Sequence, residues 1–190
     1  MITVPELAAD ALGEFLSGYM KRRFSSSRER HLVEVVPSIA RIAIECIGNS
    51  DALYHNVEHT MLVTLAGHDI MRGRALHSHM SAEDYAHVII ACLMHDIGYV
   101  RGLFKSDDAQ GYVVDATGQK KALPRGSSDA ALLAWHVDRS KLFAMDRVVG
   151  VDMLDPERIA RAVEGTRFPA SIPAPGESLD EEPRCCAPPT

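Results

Sequence analysis

Seven consecutive apolar residues, Val88 to Met94, run directly into a histidine and an aspartate, His95-Asp96. Just upstream, Ser81-Ala82-Glu83-Asp84 has the chemistry of a helix start, with Ser81 as N-cap and two acids in the first turn. Gly98 reads as the stop. A helix that is apolar nearly all round has no face to offer water. It belongs in the centre of a domain with other elements packed around it.

The rest of the chain supplies those elements as helices. Pro5 to Met20 carries Leu7, Ala8, Ala11, Leu12, Phe15, Leu16 and Tyr19 at three- and four-residue steps. His31 to Ile47 repeats the pattern, with Pro37 inside it predicting a kink or a start nearby. Gly48-Asn49-Ser50-Asp51 closes that helix. Asn56 to about Arg74 is a third, and Ser127-Ser128-Asp129 opens another through Trp135, His136 and Phe143. Asp155-Pro156-Glu157 opens the last, with Pro at the first helical position. Gly102 to Gly126 breaks the rhythm. There Tyr112–Asp115 and Gln119–Leu123 are expected to pair across Ala116-Thr117-Gly118 as a lid-like insertion. The expected class is all-α: a helical bundle with a small β-hairpin-like insertion near 111–123, forming one domain over 1–169. Residues 170–190, rich in Pro, Gly, Ser and acids, read as a disordered tail.

Composition narrows the function classes. The net charge of −6 and isoelectric point near 5.8 argue against a broad nucleic-acid surface. The one basic stretch, Lys21 to Arg30, reads as a solvated connection between helices. No apolar run has the length of a membrane span, and Met1-Ile2-Thr3-Val4-Pro5-Glu6 lacks the basic start and apolar block of a secretory signal. The default location is the cytoplasm. Cys46 and Cys92 sit in apolar patterns as small core residues, while Cys185 and Cys186 fall in the tail. A disulfide framework and zinc-finger spacings are both missing.

Two segments carry chemistry. In Tyr54-His55-Asn56-Val57-Glu58-His59 the two histidines are four apart, so a helix would place them on one face, one turn from each other. Such a pair can offer a metal ligand and a proton donor to one phosphate. Two zinc ligands have the same spacing, but Asn56 stands where a zinc protease carries its Glu base. Nine histidines in 190 residues also produce this spacing by chance. In Met94-His95-Asp96-Ile97-Gly98-Tyr99, an imidazole and a carboxylate meet at the polar end of the buried helix. A buried carboxylate is costly unless paired or metal-bound, so either a divalent metal or a salt bridge accounts for Asp96.

Taken together, the two segments resemble the HD superfamily, whose pattern is His, then His-Asp, then a distant Asp. Tyr54-His55-Asn56-x-x-His59 is also similar to the signature of cyclic-nucleotide phosphodiesterase catalytic domains. The resemblance covers core motifs over 53–169 and implies an HD-domain helical bundle. It implies His59, His95 and Asp96 as metal ligands, with Asp96 bridging to a second ion, and His55 as the proton donor to the leaving oxygen. His136 and Arg139, placed mid-helix, are candidates for a second-metal or substrate contact. The favoured alternative for His136 is packing at the helix interface beside Trp135, and Arg139 reads equally as a surface residue. Tyr99 departs from the phosphodiesterase pattern, which has a His there. The final metal-binding Asp has no counterpart after Ala162–Pro169. His68, His77, His79 and His87 receive no role, and Asp107 and Asp108 read as loop acids.

The function implied is hydrolysis of a phosphate ester, of phosphodiester or nucleotide type, by metal-activated water. The cofactor is one or two divalent ions, with Zn, Mn, Mg, Fe and Ni not distinguished. The partner is a small phosphorylated, nucleotide-like substrate, with no nucleic acid and no membrane. The rival is an inactive HD module that binds a nucleotide or a protein. A further expectation concerns the C-terminus. Cys185-Cys186-Ala187-Pro188-Pro189-Thr190 can be encoded by GC-rich codons that, read one base earlier, give Leu-Leu-Arg-Ala-Ala-Asp-Leu, an apolar helix start bearing an Asp. The tail is therefore expected to be out of frame, truncating the domain by one ligand helix. An apolar patch exposed in this way would favour homo-oligomers.

Overall fold

The computed structural model describes residues 2–24, 26 and 29–168. It is all-α with one small hairpin. The helices are α1 (Val4–Arg23), α2 (Arg30–Ile47), α3 (Val57–Arg74), α4 (Ala82–Met94), α5 (His136–Val148) and α6 (Pro156–Glu164). Short 3-10 turns occupy Ile97–Tyr99 and Asp129–Leu132. The expected disordered tail over 170–190, with Cys185, Cys186 and the shifted frame, lies outside the described residues.

The apolar run behaves as its composition requires. Every residue of α4 from Tyr85 to Met94 is buried, and α2, α3, α5 and α6 pack around it, with α1 outside α2. Burying each of its Val, Ile and Leu side chains contributes roughly 1.5–3 kcal/mol. A reciprocal capping box starts the helix: Asp84 N–H donates to Ser81 Oγ (3.0 Å) and Ser81 N–H donates to the Asp84 carboxylate (3.1 Å). Close approach of α3 depends on Gly67, where a Cβ would lie 2.7 Å from Cys92 Sγ.

Pro37 neither starts nor ends α2, which runs through it. An interior proline costs about 3 kcal/mol. The apolar face from Leu32 to Ile47 is buried on α1 and α4 and offsets that cost. The hairpin forms between β1 (Tyr112–Val113) and β2 (Lys120–Lys121), antiparallel, with Tyr112 opposite Lys121. The Asp115 carboxylate accepts N–H groups from Thr117 and Gln119, and Gly118 supplies the positive φ of the turn.

Several polar residues sit deeper than their local sequence indicated. His68 and His87 are buried, not spread over polar faces. His68 Nδ1 meets the Tyr85 hydroxyl at 2.7 Å. His87 links Glu83 O on α4 to the Asp155 N–H that begins α6. Asp107 is not a solvated loop acid, because its side chain is fully buried against Arg139. Among the described residues no helix is long and apolar enough to cross a membrane.

Candidate metal centre

The site is built where α4 ends. His95 caps α4, and its Nδ1–H donates to the Cys92 carbonyl (2.8 Å), one of the acceptors a helix leaves unpaired in its last turn. That bond fixes the ring and leaves Nε2 to face the site, 2.9 Å from Asp96 Oδ2 and 3.3 Å from His59 Nε2. Both His95 and Asp96 are buried.

α3 begins opposite. Asn56 is its N-cap, accepting the His59 N–H at 3.0 Å, which places His59 in the first turn with Nε2 3.1 Å from Asp96 Oδ2. His55 precedes the cap and lies outside the helix, so the expected one-turn stacking on His59 does not occur. Its Nδ1 nevertheless comes within 2.7 Å of Asp96 Oδ2. The chain before His55 is stapled to the chain before His136. Asp129 N–H donates to Asp51 Oδ1 (2.6 Å), Asp51 N–H donates to Asp129 Oδ2 (3.3 Å), and Arg101 bridges both carboxylates.

Three imidazole nitrogens therefore crowd one oxygen of a buried carboxylate. Burial pushes the Asp96 carboxyl up, but the His95 charge and the bonds from His55, His59 and His95 outweigh it and hold the group well below its usual range. Burial likewise works against charge on His95, and Asp96 more than reverses it, raising that imidazole. An oxygen has two lone pairs and cannot accept well from three donors. A cation among these atoms relieves the crowding and replaces protons. The separations fit one: ligand atoms about 2.1 Å from a metal lie roughly 2.9–3.4 Å from each other. His55, His59 and Asp96 form a cluster whose ligand atoms lie within 4.8 Å of one another, a group that could hold a metal ion.

His136 is the first residue of α5, not a mid-helix residue. Its Nδ1–H donates to Leu133 O (2.7 Å), and Nε2 faces the other Asp96 oxygen, Oδ1, at 3.8 Å. Burial lowers its pKa and favours the neutral form that a metal ligand requires. Tyr99 stacks against His55 and His136 at 4.1 and 4.3 Å between ring centroids, and those two imidazoles lie 6.2 Å apart at 37°. Its hydroxyl is buried with no hydrogen-bond partner among the described residues. These side chains line a cavity of about 440 Å³, completed by Tyr54, Leu133, Arg167 and Phe168. A larger cleft of about 880 Å³ lies between α1 and α2, lined by residues such as Gly13, Lys21, Glu34 and Arg41. It holds no cluster of metal-ligating side chains among the described residues, so the chemistry belongs to the smaller cavity.

Arg139 is not part of the site. It is fully buried, donating to the carbonyls of Gly98 (2.7 Å), Val100 (2.8 Å) and Val113 and pairing with Asp107 (3.0 Å). With its donors committed to the fold, it has no fork to offer a phosphate.

The family described as Npun_R2479-like matches residues 3–182 of the chain. This chain belongs to the Npun_R2479-like family. No curated protein and no solved structure matches it. The family match takes in the whole site of this Npun_R2479-like chain and extends beyond Phe168, the last described residue. Sequence reasoning singled out His55, His59, His95, Asp96 and His136, and the fold brings all five to one cavity. It missed the Tyr99 stack, the Asp51–Asp129–Arg101 staple and the wall from Thr166 to Phe168. Tyr99 stood out only as a departure from a motif, and the other two have no local signature.

Proposed function

We propose that this Npun_R2479-like chain is a metal-dependent phosphohydrolase of the HD type, acting on a phosphate ester. The observation that supports this most is the convergence of His59, His95 and His55 on Asp96 Oδ2, from segments up to 41 residues apart. His59, His95 and Asp96 would hold a divalent ion. His136, facing Asp96 Oδ1, would serve a second one. A bound divalent ion supplies Lewis acidity, lowering the pKa of water and polarising a phosphoryl oxygen. The protein's own groups do the rest. Cys92 O and Leu133 O fix the His95 and His136 rings so that each presents Nε2. Asp96 supports a proton on His55 Nδ1, leaving Nε2–H to pass a proton to the departing oxygen. Tyr99 packs against both the His55 and His136 rings and would help hold each in place.

The test is metal analysis of the purified protein, then turnover of a generic phosphodiester and a phosphomonoester. Loaded protein is expected to hydrolyse at least one, and Asp96→Ala is expected to lose both metal and turnover. Asp96→Ala retaining full activity would place the chemistry elsewhere. Nucleotide binding without metal and without turnover would make the chain a binding module instead.

A further inference from the structure

The metal-binding floor accounts for one phosphoryl group, and the remaining wall indicates what that group is attached to. Among the described residues, Arg167 is the one basic side chain lining the cavity, and it is already neutralised. Its Nη2 donates to Asp138 (2.8 Å) and Glu164 (3.0 Å), and Lys141 shares both carboxylates at 3.0 and 2.6 Å. Two cations meet two anions there, so the quartet has no net charge to give a ligand. Beyond the histidines and Asp96, the cavity wall is largely apolar. Its rim includes Tyr54, Leu133 and Phe168, exposed at 67%, 64% and 82%.

We infer that the site selects phosphate esters whose only charged group is the reacting phosphate, joined to an apolar or aromatic body that packs on Tyr54, Leu133 and Phe168. A second or third phosphate needs cationic side chains of its own, ideally a guanidinium fork or a lysine, and among the described residues this wall has none uncommitted. Nucleoside di- and triphosphates and bisphosphates are therefore poor ligands. An aromatic ring, by contrast, removes exposed apolar surface on both sides of the contact. This inference rests on the phosphohydrolase reading and makes it more specific.

The experiment is calorimetric titration of the metal-loaded full chain with three probes: inorganic phosphate, phenyl phosphate and a hexose 1,6-bisphosphate. Phenyl phosphate is expected to bind at least about tenfold more tightly than inorganic phosphate. The bisphosphate is expected to bind no more tightly than inorganic phosphate. Leu133→Ala and Phe168→Ala should each cut the phenyl advantage while leaving the affinity for inorganic phosphate unchanged. Both side chains are exposed, so folding is not at stake. Tighter binding of the bisphosphate than of phenyl phosphate, or a phenyl advantage that survives both substitutions, overturns the inference and leaves the phosphohydrolase reading standing. A loaded protein that binds none of the three probes overturns that reading, and the inference with it.

Discussion

Replacing Gly98 by Ala tests whether the site depends on one close backbone approach. Gly98 sits in the 3-10 turn that follows Asp96, and α5 crosses directly over it. A Cβ at this position would lie 1.9 Å from the His136 carbonyl oxygen and 2.8 Å from Arg139 Cβ, whereas real Cβ contacts stay beyond 3.0 Å. The start of α5 would have to withdraw by about 1.1 Å to reach that floor. The same residue is clamped from both sides: its N–H donates to Ser140 Oγ (2.9 Å) and its carbonyl accepts Arg139 Nε–H (2.7 Å), both buried. Overpacking costs about 1–3 kcal/mol, and a buried polar group left unpaired costs about 1–3 kcal/mol more. The expected loss is thus about 2–6 kcal/mol, or roughly 4–24 °C in Tm for a chain of this size. His136 moves with α5, so its 3.8 Å separation from Asp96 opens while the His59–His95–Asp96 group keeps its geometry. Thermal unfolding and metal analysis read the two effects separately. Gly73→Ala is the control, because a Cβ there meets nothing within 4 Å on the exposed side of α3. It should stabilise by about 0.5–1 kcal/mol through lost backbone freedom. Each kcal/mol moves the Tm of such a chain by about 2–4 °C, so a Gly98→Ala protein melting within about 2 °C of wild type would falsify the close-approach argument.

Three further outcomes are expected. His55→Ala should keep its metal but turn over about 10²–10⁴-fold more slowly, and less so with a leaving group that needs no proton; loss of metal instead would make His55 a ligand. Arg167 first, then Lys141, hold the Glu164 carboxyl down to about 2 from 4.5 against the opposing effect of burial. A depressed carboxyl stabilises the fold above its unfolded pKa and loses that contribution as pH falls through its folded one. Glu164→Gln should therefore melt below wild type at neutral pH, with the gap closing as pH drops from 4.5 to about 2, and a gap that does not change with pH would refute the assignment. Tyr99→Phe removes a buried hydroxyl that has no partner among the described residues. Its Tm should hold or rise, by about 2–4 °C for each kcal/mol of desolvation relieved; a marked fall would show that the hydroxyl is paired after all.

Part of the site was legible because its candidate ligands carry local signals. His95-Asp96 ends an apolar run, and His55 and His59 are four residues apart. Arg139 was misplaced because its surroundings are assembled from elsewhere. The carbonyls that hold it come from Gly98, Val100 and Val113, and its counter-ion Asp107 lies in the insertion. Nothing within a helical turn of Arg139 marks it as buried. The same holds for His87, whose acceptor role depends on the Asp155 N–H, 68 residues away.

The sequence alone determined the elements: six helices, the burial of α4, the starts of α4 and α6, and a hairpin across Ala116-Thr117-Gly118. Those properties depend on residue spacing and on side chains reaching backbone groups a few positions away, so a short window contains their cause. Tertiary structure decided which side chains meet. It brought His55 to Asp96, stacked Tyr99 against two imidazoles, and neutralised Arg167 with Asp138, 29 residues away. Such meetings follow from how helices pack and from where a glycine lets two backbones close. They leave no period in the chain, because the energy of each contact depends on an approach that only the completed fold makes.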